Sequence, residues 1–197
     1  MLAEWSAECA ADDPVLIVPW TDPSNPNNRF IDLRDNPYDL DHLAEAEHHP
    51  PILHALRALN APRSAVFTAK CDAWPLSAQD LDALRLNIDP TLGPELASAG
   101  FAGYIDLLLR DRPRFVSFHQ NEQFLHRLVR RASPLDHPNA QLDCVIRPAF
   151  LDFTPPQEGF SVSLYIKALG PDPPAAKANW AAALEDVVTL LRGKDLI

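Results

Sequence analysis

Leu142-Asp143-Cys144-Val145-Ile146-Arg147-Pro148-Ala149-Phe150-Leu151-Asp152-Phe153 and Phe160-Ser161-Val162-Ser163-Leu164-Tyr165-Ile166-Lys167-Ala168-Leu169 are separated by Thr154-Pro155-Pro156-Gln157-Glu158-Gly159. Two apolar, β-branched runs bounded by a proline-rich turn read as an antiparallel hairpin. In the second run Phe160, Val162, Leu164 and Ile166 alternate with Ser161, Ser163, Tyr165 and Lys167. A period of two puts the first set on a packed face of a sheet and the second on a polar face.

Working outward, Asp172-Pro173-Pro174 opens a helix that carries Trp180, Leu184, Val187, Val188 and Leu191 and closes at Gly193, a cover for that sheet. Upstream, Asn121 is positioned to cap a helix with Phe124, Leu125, Leu128 and Val129 inward, ending at Ser133-Pro134. Arg114 to His119 reads as a strand, and an apolar helix is expected from near Pro94 through Tyr104 to Leu109, stopping before Pro113. Ser77-Ala78-Gln79-Asp80 has capping spacing for a helix to Leu86. From Ser64 to Trp74, Phe67, Ala69, Cys71 and Ala73 alternate with Thr68, Lys70 and Asp72 as in a strand. Leu43 to His49 suits a helix, and Ile52, Leu53, Leu56 and Leu59 another behind Pro50-Pro51. At the start, Glu4 to Ala11 suits a short helix, and Val15 to Trp20 and Phe30 to Arg34 a hairpin around a long loop.

The order β-β-α-β-α-α-β-α-β-β-α lacks strict β-α alternation. It predicts one α+β domain over residues 1–197, with a largely antiparallel sheet of five to six strands, helices packed on one face, and the hairpin segment 1–40 at the periphery. At 47% hydrophobic and 22% charged, the 197 residues suffice for one core. The 20 prolines and 6 glycines, against typical usage of about 5% and 7%, imply stiff loops.

A formal charge of −10 works against a polyanionic partner, so neither nucleic acid nor an anionic membrane is expected. No run approaches the ~18 apolar residues of a membrane span, and the opening residues have neither a basic start nor an apolar stretch, so no leader or anchor is expected. Cys9, Cys71 and Cys144 are odd in number and far apart; they fit a reducing cytoplasm rather than disulfides or a thiolate zinc site.

Phosphate-binding glycine loops, the nucleophile elbow and the His-Glu-x-x-His zinc signature are missing from the sequence. Two features could carry chemistry. His119, Glu122 and His126 repeat the spacing of His42, Glu45 and His49; on one helix those offsets share a face, and two imidazoles with a carboxylate could hold a divalent transition metal. His126 beside Glu122 could also act as a metal-free acid–base pair. The second feature is charge: residues 110–131 hold Arg110, Arg112, Arg114, Arg127, Arg130 and Arg131 against Asp111 and Glu122, a balance of +4 that leaves −14 elsewhere. If these arginines meet, they suit a carboxylate, a phosphate or an acidic partner segment. The expectation is a non-catalytic cytoplasmic interaction or regulatory domain without cofactor, binding a protein partner or small anion through these arginines. The alternative is a hydrolase-like metal enzyme using His119, Glu122 and His126.

Overall fold

The computed structural model describes residues 1–36, 39–91, 93, 97–152 and 155–193. Its strands are β1 (Leu2–Ala7), β2 (Leu16–Val18), β3 (Val66–Pro75), β4 (Ala99–Leu109), β5 (Ala140–Leu151) and β6 (Gln157–Gly170). They form one sheet of order β1-β5-β6-β4-β3, with β2 beside the far half of β5. β1 and β2 run parallel to β5, and every other neighbour is antiparallel. The helices are α1 (Ala44–His48), α2 (Pro50–Leu59), α3 (Ala78–Ile88), α4 (Arg112–Phe115), α5 (Phe118–Ala132) and α6 (Pro173–Leu191). This is the α+β class the element order predicts.

The expected hairpin is β5–β6, in continuous register from Ala140↔Ala168 to Leu151↔Gln157. Its apolar set, Leu142, Cys144, Ile146, Val162, Leu164 and Ile166, joins Ile105 and Leu107 of β4 on the core face. There Ile52, Leu56 and Leu59 of α2, Phe124, Leu125 and Leu128 of α5, and Trp180, Leu184 and Val187 of α6 close over it. Each such side chain contributes about 1.5–3 kcal/mol on full burial. Trp180 packs so close to β4 that a Cβ at Gly103 would stand 2.7 Å from its ring and 3.0 Å from the Asp72 carbonyl oxygen, so the site requires glycine. α6 starts as its sequence indicates: the Asp172 carboxylate accepts the Ala175 N–H at 2.8 Å. Ser77 caps α3 in the same way, accepting from Asp80 N.

Several expectations give way. Glu4 to Ala11 is no helix; its first half lies in β1, where Leu2 to Ala7 face Gln141 to Ile146. Phe30 to Arg34 forms no strand, and the hairpin shrinks to the Thr21–Arg29 bridge and the Phe30 N–H on Trp20 O at 2.8 Å. The apolar stretch Ala99–Leu109 is strand β4, not helix; the start expected near Pro94 lies outside the described residues. Arg114 to His119 is helical, split between α4 and α5. Ser117 caps α5 by accepting from Gln120 N, while Asn121 sits fully buried one turn in and donates to Arg114 O and Ser117 O.

β3 carries a bulge: Thr68 faces Leu107 but Cys71 faces Ile105, so three steps on β3 answer two on β4. Phe67 and Ala69 therefore pack on one side of the sheet while Cys71 and Ala73 pack on the core side, where simple alternation would put all four together.

Candidate functional site on the open face of the sheet

On the side of the sheet opposite α2, α5 and α6, the two ends are covered and the middle is open. At one end Leu16, Val18, Phe67, Ala69, Leu108, Ala149 and Leu151 pack around Phe115 of α4. A Cβ at Gly159 would meet that ring at 2.4 Å. At the other end α3 lays Leu84, with Leu76 and Leu81, against Leu169. Between them Trp74, Tyr104 and Tyr165 are half-exposed, and Glu4 and Asp72 are exposed.

Register fixes what stands in this middle. One row crossing five strands reads Glu4, Asp143, Tyr165, Tyr104, Asp72. The row beside it reads Leu2, Gln141, Lys167, Ala102, Trp74. The tyrosine rings lie 5.7 Å apart at 32°, and Trp74 meets Tyr104 edge-on at 6.0 Å. This aromatic row belongs to strands held rigid by the core beneath, so its geometry does not depend on a loop.

Arg147 of β5 organises the next part of the face. Its guanidinium donates to Glu8 Oε2 at 2.8 Å, to Ser163 Oγ at 3.0 Å and to the Tyr165 hydroxyl at 2.9 Å. Ser163 in turn donates to Asp106 Oδ1 at 2.5 Å. Asp106 is 7% exposed, and burial pushes its carboxyl above the ordinary range, with the Ser163 hydrogen bond and the charges of Arg147 and Lys70 opposing. Burial, then Asp106 itself, pushes the Tyr104 phenol up. Lys167 donates to Asp143 at 2.9 Å, and the Gln141 amide to the same carboxylate at 2.6 Å, which leaves Gln141 Oε1 buried without a donor.

The residues singled out by sequence sit elsewhere. Arg110 donates to the carbonyls of Val66 and Asn60 at 2.9 and 3.0 Å and ties the end of β4 to β3 and α2. Arg112 donates to Gln157 at 2.7 Å, and Arg114 pairs with Asp111 at 3.3 Å, both before α5. Arg127, Arg130 and Arg131 lie in the last turns of α5, about 9–15 Å beyond Asn121 at 1.5 Å per residue. The six arginines thus do not form one cluster. His119, Glu122 and His126 do share a helix, α5. His119 reaches Glu122 at 3.3 Å and Gln123 at 2.9 Å, whereas His126 is turned against Trp5 with ring centroids 4.9 Å apart. His49 packs against Phe101 and Trp180, where burial and Lys177 push its pKa down; the His42 side chain lies outside the described residues. Among the described residues no group of three His, Cys, Asp or Glu side chains is placed to hold a metal ion.

The apolar density of Ala99–Leu109 reads as helix, and in a helix Tyr104 and Asp106 share no face. A strand reading aligns Ala102, Tyr104, Asp106 and Leu108 on one side, and a single aspartate in an apolar run is then the signal.

Fold and face together define an α+β domain built on an open-faced sheet with a rigid aromatic and ionic surface. No protein-family profile, characterised protein or solved structure matches the chain.

Proposed function

We propose that this chain is a non-catalytic cytoplasmic interaction domain and that its contact surface is the open middle of the sheet. The observation that carries the reading is the half-exposed Trp74, Tyr104 and Tyr165 row on a face whose ends alone are covered. Aromatic side chains that present area at little loss of rotamer freedom are enriched where proteins bind. The ionic network around Arg147 holds Tyr165 in place before any partner arrives. Among the described residues no helix is long and apolar enough to cross a membrane. The arginine surface becomes the lesser candidate, because its members are dispersed and Arg110, Arg112 and Arg114 serve local contacts.

Replacing Trp74 and Tyr104 together with alanine tests the proposal. A partner retained from extract by the native chain is expected to be lost, while Arg127→Ala with Arg130→Ala keeps it. The reverse pattern would move the surface to α5, and turnover abolished by Asp106→Asn would replace the binding reading with an enzymatic one.

A further inference from the structure

The cross-strand row Glu4, Asp143, Tyr165, Tyr104, Asp72 holds three carboxylates and no cation. The cations near it are committed: Lys167 to Asp143, Arg147 to Glu8, and Lys70 over the Trp20 ring at 5.0 Å. The carboxylates at the two ends of the row are not. Asp72 accepts only the neighbouring Ala73 N–H at 2.7 Å, and among the described residues neither Asp72 nor Glu4 has an ion-pair partner. Between these ends stand electron-rich rings, with Trp74 flanking Tyr104 next to Asp72. Ring faces attract guanidinium and ammonium groups by about 0.5–2 kcal/mol each, and the chain's −10 charge draws a cation towards the surface from a distance. The buried Gln141 Oε1 in the adjoining row adds an acceptor that lacks a donor.

We propose that this row receives an extended cationic polypeptide segment of a partner, lying across the strands with one arginine or lysine at Asp72, stacked on Trp74 and Tyr104, and a second at Glu4. The proposal rests on the open face being the contact surface. Five strands at about 4.8 Å span roughly 19 Å, and an extended chain covers that in about six residues. The fitting segment therefore carries its cations five or six positions apart.

The probe is the blocked peptide acetyl-Arg-Ser-Gly-Ser-Gly-Arg-amide, titrated to millimolar concentration into the full chain at low salt and followed by amide chemical shifts and Trp fluorescence. Shifts are expected along β1, β5, β6, β4 and β3, with affinity reduced at least fivefold in Asp72→Asn or Glu4→Gln and abolished in the double variant. Glu185→Gln on α6 should leave binding unchanged, and since Glu4 and Asp72 are exposed the variants should keep the native spectrum. Equal weakening by Glu185→Gln would reveal diffuse charge attraction and overturn the proposal. If the same amides respond instead to the glutamate version of the peptide or to a neutral oligosaccharide, the cationic occupant is wrong but the surface stands. Silence of the face towards all three probes would overturn both.

Discussion

Replacing Arg147 with methionine keeps most of the side-chain volume and removes the guanidinium that joins Glu8, Ser163 and Tyr165. Stripping one partner from a fully buried ion pair destabilises by about 3–5 kcal/mol. Here the Arg147 side chain is 18% exposed and Glu8 40% exposed, and water screens part of that, so the loss at neutral pH should be about 2–3 kcal/mol. For a domain of this size each kcal/mol moves Tm by roughly 2–4 °C, so calorimetry should read a fall of about 5–10 °C. Much of the loss should come from Asp106, left as a buried carboxylate without its nearest strong cation. Burial holds the Asp106 pKa above its unfolded value, so the fold prefers the protonated acid and stability is lost as pH rises through the folded pKa. The damage from Arg147→Met should therefore be greatest at pH 7 and shrink towards pH 4. It should also shrink at pH 7 when Asp106→Asn is already present, by about 1 kcal/mol or more in a double-mutant cycle. Equal destabilisation by Arg147→Met with and without Asp106→Asn would refute the coupling and reduce Arg147 to a partner of Glu8.

Gly159→Ala should destabilise by about 1–3 kcal/mol in urea unfolding, because its Cβ would stand 2.4 Å from the Phe115 ring. Trp180→Ala should remove about 3–5 kcal/mol, emptying the centre of the core between α6 and β4. Thiol titration of the native chain should find Cys9 reacting alone: burial pushes Cys71 up to about 12 and Cys144 further still, while Cys9 is exposed. Arg110→Ala should lower stability by about 1–3 kcal/mol by orphaning the carbonyls of Val66 and Asn60, whereas Arg127→Ala should stay within about 0.5 kcal/mol.

The β5–β6 hairpin is legible because apolar Phe160, Val162, Leu164 and Ile166 alternate with Ser161, Ser163, Tyr165 and Lys167 on opposite faces of β6, a period of two in side-chain type. β4 is not, because it is buried on both sides: its core-side residues meet α6, while Leu108 on the opposite side meets Phe115, so no polar period survives. β1 is half-exposed and short, and its conformation is set by pairing with β5 across most of the chain, a partner no local window contains. The start of α5 does carry a local sign, Ser117 three residues ahead of Gln120. At the site, the polar side of β6 was legible as polar, but its meaning depended on what β3, β4 and β5 set beside Tyr165. That assembly follows from register and from the β3 bulge rather than from any one segment.

The parallel seam between β1 and β5 has a consequence for how the molecule is made. Glu8 and Arg147 are 139 residues apart, so β1 has no ladder until the chain has run on about that far to β5. Contacts of such separation close last, after the local hairpin and helices have formed. On the ribosome β1 must therefore wait unpaired, and the seat of Glu4 on the open face is completed only when β5 emerges to receive β1. The surface proposed for a partner is thus assembled at the end of folding, and a partner that reads both Glu4 and Asp72 would engage the finished molecule alone.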